Sequence, residues 1–252
     1  MWTRPGGLTS NTPQTGGMLP QYPPFFSAIC KITRPQKFRR NPMYSYQAKK
    51  IVGQPSNPSK MPGYAAGIHA KYCKTGSHLA GIPGTVCSKC YALKNRYAMP
   101  NVAEANERRY QIQMRALVDE EFRALYIQAW GVILKKEEWF RIFDTGDLQS
   151  HAHLQLFIDI AASNPHVHFW MPTREYTIVN NYLGTLPPNL TIRVSAHMVD
   201  HAPPSSKFVT STVHNANAPI GKECGAYTRG GHCGSCRWCW TGKVENVSYP
   251  EH

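Results

Sequence analysis

Three short apolar runs, "WFRIF", "VHFWM" and "TIRVS", recur between residues 139 and 195. Each is the length of a buried strand and rich in aromatic and β-branched side chains. They end at Asp144, at Pro172 and near Ala196. Between them "LQSHAHLQLFIDIAAS" and "REYTIVNNYLG" predict helices. Strand–helix–strand alternation argues for a parallel sheet with right-handed crossovers. Upstream, "YAAGIHA" reads as a first strand. Asn101 with Glu104 looks like an N-cap pair opening a helix that runs through "VAEANERRYQIQMRAL", continues or breaks near Asp119, and resumes in "EEFRALYIQAWGVIL". "SKFVTSTV" adds a further strand. The fold class expected is α/β, a partial (β/α) barrel or an open parallel sheet. Three segments follow: a Pro-rich arm over 1–60 with one short strand near "FFSAICKI", an α/β core over 61–220, and a cysteine-rich tail over 221–252.

In parallel sheets ligands collect at the carboxyl ends of the strands. Those ends carry "DTGDLQS", "PTRE" and "SAH". A parallel sheet would bring Asp144, Asp147, Arg174, Ser195 and His197 to one rim, facing the loop after the first strand. Asp147, Arg174 and Ser195 are the candidate catalytic groups, and Thr145 and Gly146 join them as candidates for holding a cofactor. Together they offer the carboxylate, guanidinium and hydroxyl that an amino-acid-like or nucleoside ligand needs. The same residues have a plainer use, with Asp147 and Ser150 capping a helix and Arg174 pairing on the surface.

The charge is lopsided. None of the 15 acidic residues precedes Glu104, whereas 14 of the 28 Lys and Arg do, including "KFRR" at Lys37 to Arg40. Such a half is expected to contact nucleic-acid phosphates, or else to keep a Pro-rich arm soluble and balance anionic thiolates. No apolar run reaches the 18 residues of a membrane span, and the start has no secretory h-region. The chain is therefore expected in the cytoplasm.

Eight cysteines in a reducing compartment point to metal rather than disulfides. Cys30 stands alone and reads as a buried thiol. Cys73, Cys87 and Cys90 share the loop after the first strand. Cys224, Cys233, Cys236 and Cys239 crowd the tail, where three thiolates at three-residue steps suit one face of an iron–sulfur cubane. Zinc remains open there, on the same four residues or on Cys87 and Cys90 joined to Cys236 and Cys239, with His232 as a substitute ligand. Three upstream thiolates on a [4Fe-4S] cluster leave one iron open. A three-iron cluster, or closure by His69, His78 or a tail cysteine, is the alternative. The nearby Lys71, Lys74, Lys89, Lys94 and Arg96 are expected to lower the thiol pKa values. Gly76, Gly81 and Gly84 are expected to let backbone N–H groups approach the sulfurs.

From Gly63 to the C-terminus the order of motifs resembles the phage and bacterial family called gene product 88. The motifs are "CSKC", "FRIFDTGDLQS", "HFWMPTREY", "IRVSAH" and "CGSCRWCWTGKVENVSYPEH". It is also similar to a phage family related to radical S-adenosylmethionine enzymes, which have partial (β/α) barrels. That resemblance implies a cluster on Cys73, Cys87 and Cys90, a second metal centre in the tail and, with the cluster, S-adenosylmethionine and a reductant protein. Those enzymes space their cysteines C-x3-C-x2-C; here Cys73 stands much farther upstream. Three functional readings follow. One is an iron–sulfur enzyme of the radical type, of phage origin and so acting in a host cytoplasm. The others are a zinc-stabilised nucleic-acid-binding protein and an iron–sulfur electron carrier without substrate.

Overall fold

The computed structural model describes residues 42–251. The strand expected in "FFSAICKI", Cys30 and the basic cluster Lys37 to Arg40 lie outside the described residues.

Seven strands form one open, all-parallel sheet in the order β1-β2-β3-β4-β5-β7-β6. They are β1 (Tyr64–Ala65), β2 (Trp139–Arg141), β3 (His168–Thr173), β4 (Leu190–Val199), β5 (Val209–His214), β6 (Lys222–Glu223) and β7 (Asn246–Pro250). Of the two architectures expected, the open sheet is the one formed. The helices are α1 (Ser45–Ile51), α2 (Lys74–Ala80), α3 (Pro100–Val118), α4 (Glu120–Leu134), α5 (His151–Ala162), α6 (Tyr176–Asn180) and α7 (Trp238–Thr241). Helix α1 falls inside the segment that reads from sequence as an irregular arm.

Side chains alternate across a strand, so register decides which layer each faces. Phe140 pairs with Phe169 and Met171 with Ile192. These residues pack in the main core with Trp130 and Leu134 of α4 and with Leu154 and Phe157 of α5. Their neighbours Arg141, Trp170 and Arg193 face the other side. There, among the described residues, no long helix covers the sheet. The connection from β6 to β7, which carries the tail cysteines and α7, lies against it: Trp240, Trp170 and Cys239 pack with Trp139, Cys233 and Tyr249. The Trp240 indole N–H donates to the Phe140 carbonyl at 3.0 Å. The tail is thus the third layer of the sandwich.

Two local expectations change. Helix α3 starts at Pro100, with Met99 as N-cap and no side-chain capping bond, so Asn101 and Glu104 do not form the cap. Proline at the first helical position needs no N–H partner and sets φ by itself. The break at Asp119 is real: its carboxylate accepts from the Phe122 N–H at 2.9 Å and opens α4.

Phe140 is fully buried between the Trp130 and Phe169 rings, whose centroids lie 4.8 and 5.3 Å from its own. Phe140→Ala should cost about 3–5 kcal/mol, read as a lowered denaturant midpoint with the slope unchanged.

Candidate metal and ligand site at the strand ends

The chain leaving β1 turns at once into short helices that carry the first three cysteines. Cys73 closes one 3₁₀ turn and precedes α2; Cys87 lies in the 3₁₀ turn Val86–Lys89; Cys90 caps that turn. Thr85 holds the second turn in place. Its buried hydroxyl donates to the Leu79 carbonyl at 2.6 Å and accepts from the Ser88 N–H at 3.1 Å. The Val199 N–H donates to the Gly84 carbonyl, tying the loop to the end of β4.

These turns close over the carboxyl ends of β2, β3 and β4. One cavity of about 120 Å³ is lined by Cys73, Cys87, Cys90, Asp144, Thr145, Gly146, Asp147, Arg174 and Ser195 among others. One water needs only ~10–15 Å³ measured this way, so the space fits a compact inorganic group or part of a small ligand. Cys73, Cys87 and Cys90 therefore meet Asp144, Thr145, Gly146, Asp147, Arg174 and Ser195 at this cavity. His197 does not line it; its ring stacks on Tyr176. His69 uses Nδ1 to cap its own turn, and His78 is exposed, so neither joins the sulfurs.

The carboxylate of Asp147 organises the rim. It accepts from the Thr173 hydroxyl at 2.6 Å, the Arg174 N–H at 2.8 Å and the Leu148 N–H at 2.8 Å. It is not a helix cap; Ser150 is, accepting from the His153 N–H. Burial raises the Asp147 pKa to about 6, against the downward pull of those hydrogen bonds. Arg174 makes no ion pair among the described residues; its Nε donates to the Ala196 carbonyl at 3.2 Å. Ser195 accepts from or donates to the Ser211 hydroxyl at 3.0 Å. Asp144 accepts from Ser56 on one oxygen, while its other carboxylate oxygen and the Thr145 hydroxyl are buried without a partner among the described residues.

Several residues that sequence reasoning passed over complete the frame. Glu175, in "PTRE", accepts from the Thr75 N–H and hydroxyl, both at 2.9 Å, and so anchors the residues next to Cys73. Gln149 donates to the Tyr72 and Asp147 carbonyls. Tyr91 donates to the Asp144 carbonyl at 3.0 Å. The motif strings contained Glu175 and Gln149, but nothing in the pattern separated them from surface residues.

The lysines do not do what their sequence positions promise. Lys71 pairs with Glu107, Lys89 with Glu251, and Lys74 donates to the Gln149 carbonyl. Burial drives the Cys73 and Cys87 thiol pKa values up, and the cation that opposes this is Arg174. The glycines are also unequal. Only Gly76 lies against the sulfurs: a Cβ there would sit 3.5 Å from Cys87 Sγ and 3.7 Å from Cys73 Sγ. Gly84 instead serves a turn at φ +79, beside Met198.

The tail cysteines lie apart from that cavity, on the connection from β6 to β7, where Cys239 and Cys233 pack with Trp170 and Trp240. The Cys239 thiol, its pKa pushed up to about 11 by burial, meets the Tyr249 hydroxyl at 3.2 Å. His232 is exposed. Among the described residues no three Cys, His, Asp or Glu side chains form a group that could hold a metal ion as placed. The fit is one of donor type: three thiols around a space that Gly76 keeps open, and four thiols in the tail, of which Cys239 lies near a buried guanidinium.

A family model described as gene product 88 matches residues 40–242. No curated protein and no solved structure matches the chain. Among the described residues no helix is long and apolar enough to cross a membrane.

The raised Asp147 pKa carries a sign. Protons bind this carboxyl more tightly in the folded chain, so its contribution to stability is full below about pH 4 and is lost as pH rises through about 6. Asp147→Asn should remove that downward slope from the stability-against-pH profile, which is read as a difference because other carboxyls slope the opposite way. It should also cost about 1–3 kcal/mol from mismatched donors. A difference profile flat from pH 4 to 7 would contradict the assignment.

Proposed function

This chain belongs to the gene product 88 family, and from that premise we propose that it is an iron–sulfur protein with two unequal cysteine centres. In this reading the strand-end centre carries redox or radical chemistry of the S-adenosylmethionine type. The observation that carries it is the single cavity shared by Cys73, Cys87 and Cys90 with Asp147, Arg174 and Ser195. Three thiolates on a four-iron cluster leave one iron to be completed by something other than cysteine. Such a cluster supplies low-potential electrons when bound. The protein's own contribution is then positional. Asp147 fixes the backbone of Arg174, and the Arg174 guanidinium faces the thiols as a cation for anionic groups. Ser195 offers a hydroxyl at the far wall, and the turns around Thr85 close the loop over the site.

The tail differs in every one of these respects. Its four cysteines are enough to close a centre with protein ligands alone; none lines the strand-end cavity, and Cys233 and Cys239 pack against Trp170 and Trp240. It is read as a closed cluster that moves electrons or braces the fold, with zinc as the alternative occupant. A reductant protein is the partner such a pair of centres requires. The nucleic-acid reading draws support from the charge of the first 103 residues alone.

Anaerobic reconstitution with iron and sulfide should give both elements in near-equal amounts and a brown protein. Cys87→Ala should remove one spectroscopic component and leave a folded chain, whereas Cys236→Ala should lower thermal stability. Adding S-adenosylmethionine to the reduced protein should perturb the electron paramagnetic resonance signal of the strand-end centre alone. A colourless folded protein that holds only zinc and binds nucleic acid with steep salt dependence would overturn the reading in favour of the second.

A further inference from the structure

Arg193 is fully buried in the middle of β4, on the face that the tail covers. No ion pair among the described residues includes it. Its guanidinium donates only to carbonyls: Thr210 at 2.5 Å and Glu245 at 3.4 Å from one nitrogen, Trp238 and Val244 at 3.1 Å from the other. Three of those four carbonyls belong to the tail. Its Nε has no acceptor among the described residues.

Carbonyl dipoles solvate a buried cation in part, but an unpaired charge away from water still costs several kcal/mol. The ionisable groups that reach this guanidinium are Tyr249 and Cys239. Both are neutral when protonated, and they touch each other at 3.2 Å. A metal ion or cluster held by four thiolates carries net negative charge, and it would sit with Cys239 beside Arg193. A negatively charged centre at Cys239 would supply the counter-charge that Arg193 lacks among the described residues.

We propose that Arg193 is the built-in counter-cation of the tail cysteine centre, so that it selects a negatively charged four-thiolate centre and couples its loading to the docking of Trp238–Glu245 on the sheet. This rests on the reading that the tail binds metal. Arg193 is a positioning residue in this account, acting through charge beyond the first ring of ligands.

The test uses the full chain with Cys73, Cys87 and Cys90 replaced by Ser, so that zinc binds at the tail alone, and measures zinc affinity by chelator competition. Arg193→Gln keeps two of the N–H donors but loses the charge; Arg193→Lys keeps the charge with three donors on one nitrogen. The glutamine variant should bind zinc at least about tenfold more weakly, and the lysine variant within about threefold of its parent. A purely structural role predicts instead that charge is irrelevant, and a glutamine variant as tight as its parent would overturn the inference while leaving the tail metal intact. A parent that binds no zinc would overturn the inference and the tail-metal reading together. Should the glutamine variant not fold, the unmutated side chain still reports. The Arg193 Nε–H resonance should shift and gain protection from exchange when zinc is added, and an unchanged resonance would contradict the proposal.

Discussion

The Asp147 carboxylate joins two strand ends that the sequence places 26 residues apart, by accepting from the Thr173 hydroxyl and the Arg174 N–H. The rest of the rim hangs from that junction. With Arg174 fixed, Glu175 points back to the Thr75 N–H and hydroxyl, two residues beyond Cys73. Gln149 then reaches from the Asp147 carbonyl to the Tyr72 carbonyl on the other side of the same cysteine. A chain of short, buried hydrogen bonds therefore runs from the sheet to the thiol-bearing loop. Buried polar networks of this kind are worth their cost only when nearly every member is satisfied. Here the exceptions, one Asp144 oxygen and the Thr145 hydroxyl, stand among the residues of the cavity wall.

The two cysteine groups lie in opposite kinds of surroundings. At the strand ends the thiols share a cavity with two aspartates, a guanidinium and a serine, which is an environment for a group that reacts or exchanges ligands. In the tail Cys233 and Cys239 pack on tryptophans, with Cys239 near the buried Arg193. The β6-to-β7 crossover explains why the tail is there. A parallel connection must cross one face of the sheet, and α1, α3, α4 and α5 already occupy the other.

Much of the core was legible because "WFRIF", "VHFWM" and "TIRVS" are short runs rich in aromatic and β-branched side chains, even though each is interrupted by polar positions. The rim followed from parallel order, which brings strand ends together whatever the loops do. The tail strands were illegible for the opposite reason. Lys222–Glu223 and Asn246–Pro250 are short and polar or proline-ended, and they gain their place from β5 and from each other rather than from their own pattern. The lysines near the cysteines misled because closeness along the chain is not closeness in space. Lys71, Lys74 and Lys89 found other partners, and Arg174, eighty-odd residues from Cys87, lies within reach of its charge instead. Arg193 reads in the sequence as one polar residue within "TIRVS". Only the tail folded over it gives its charge a meaning.

The account turns on the two centres being unequal, one open and one closed. Mössbauer spectroscopy of the chain reconstituted anaerobically with enriched iron reads this directly, because an iron without a thiolate ligand is distinct from its neighbours. The expected spectrum resolves one such iron, which shifts when a small coordinating ligand is added and vanishes in Cys87→Ala but survives in Cys236→Ala. A spectrum in which every iron is thiolate-bound and indifferent to added ligand would contradict the account.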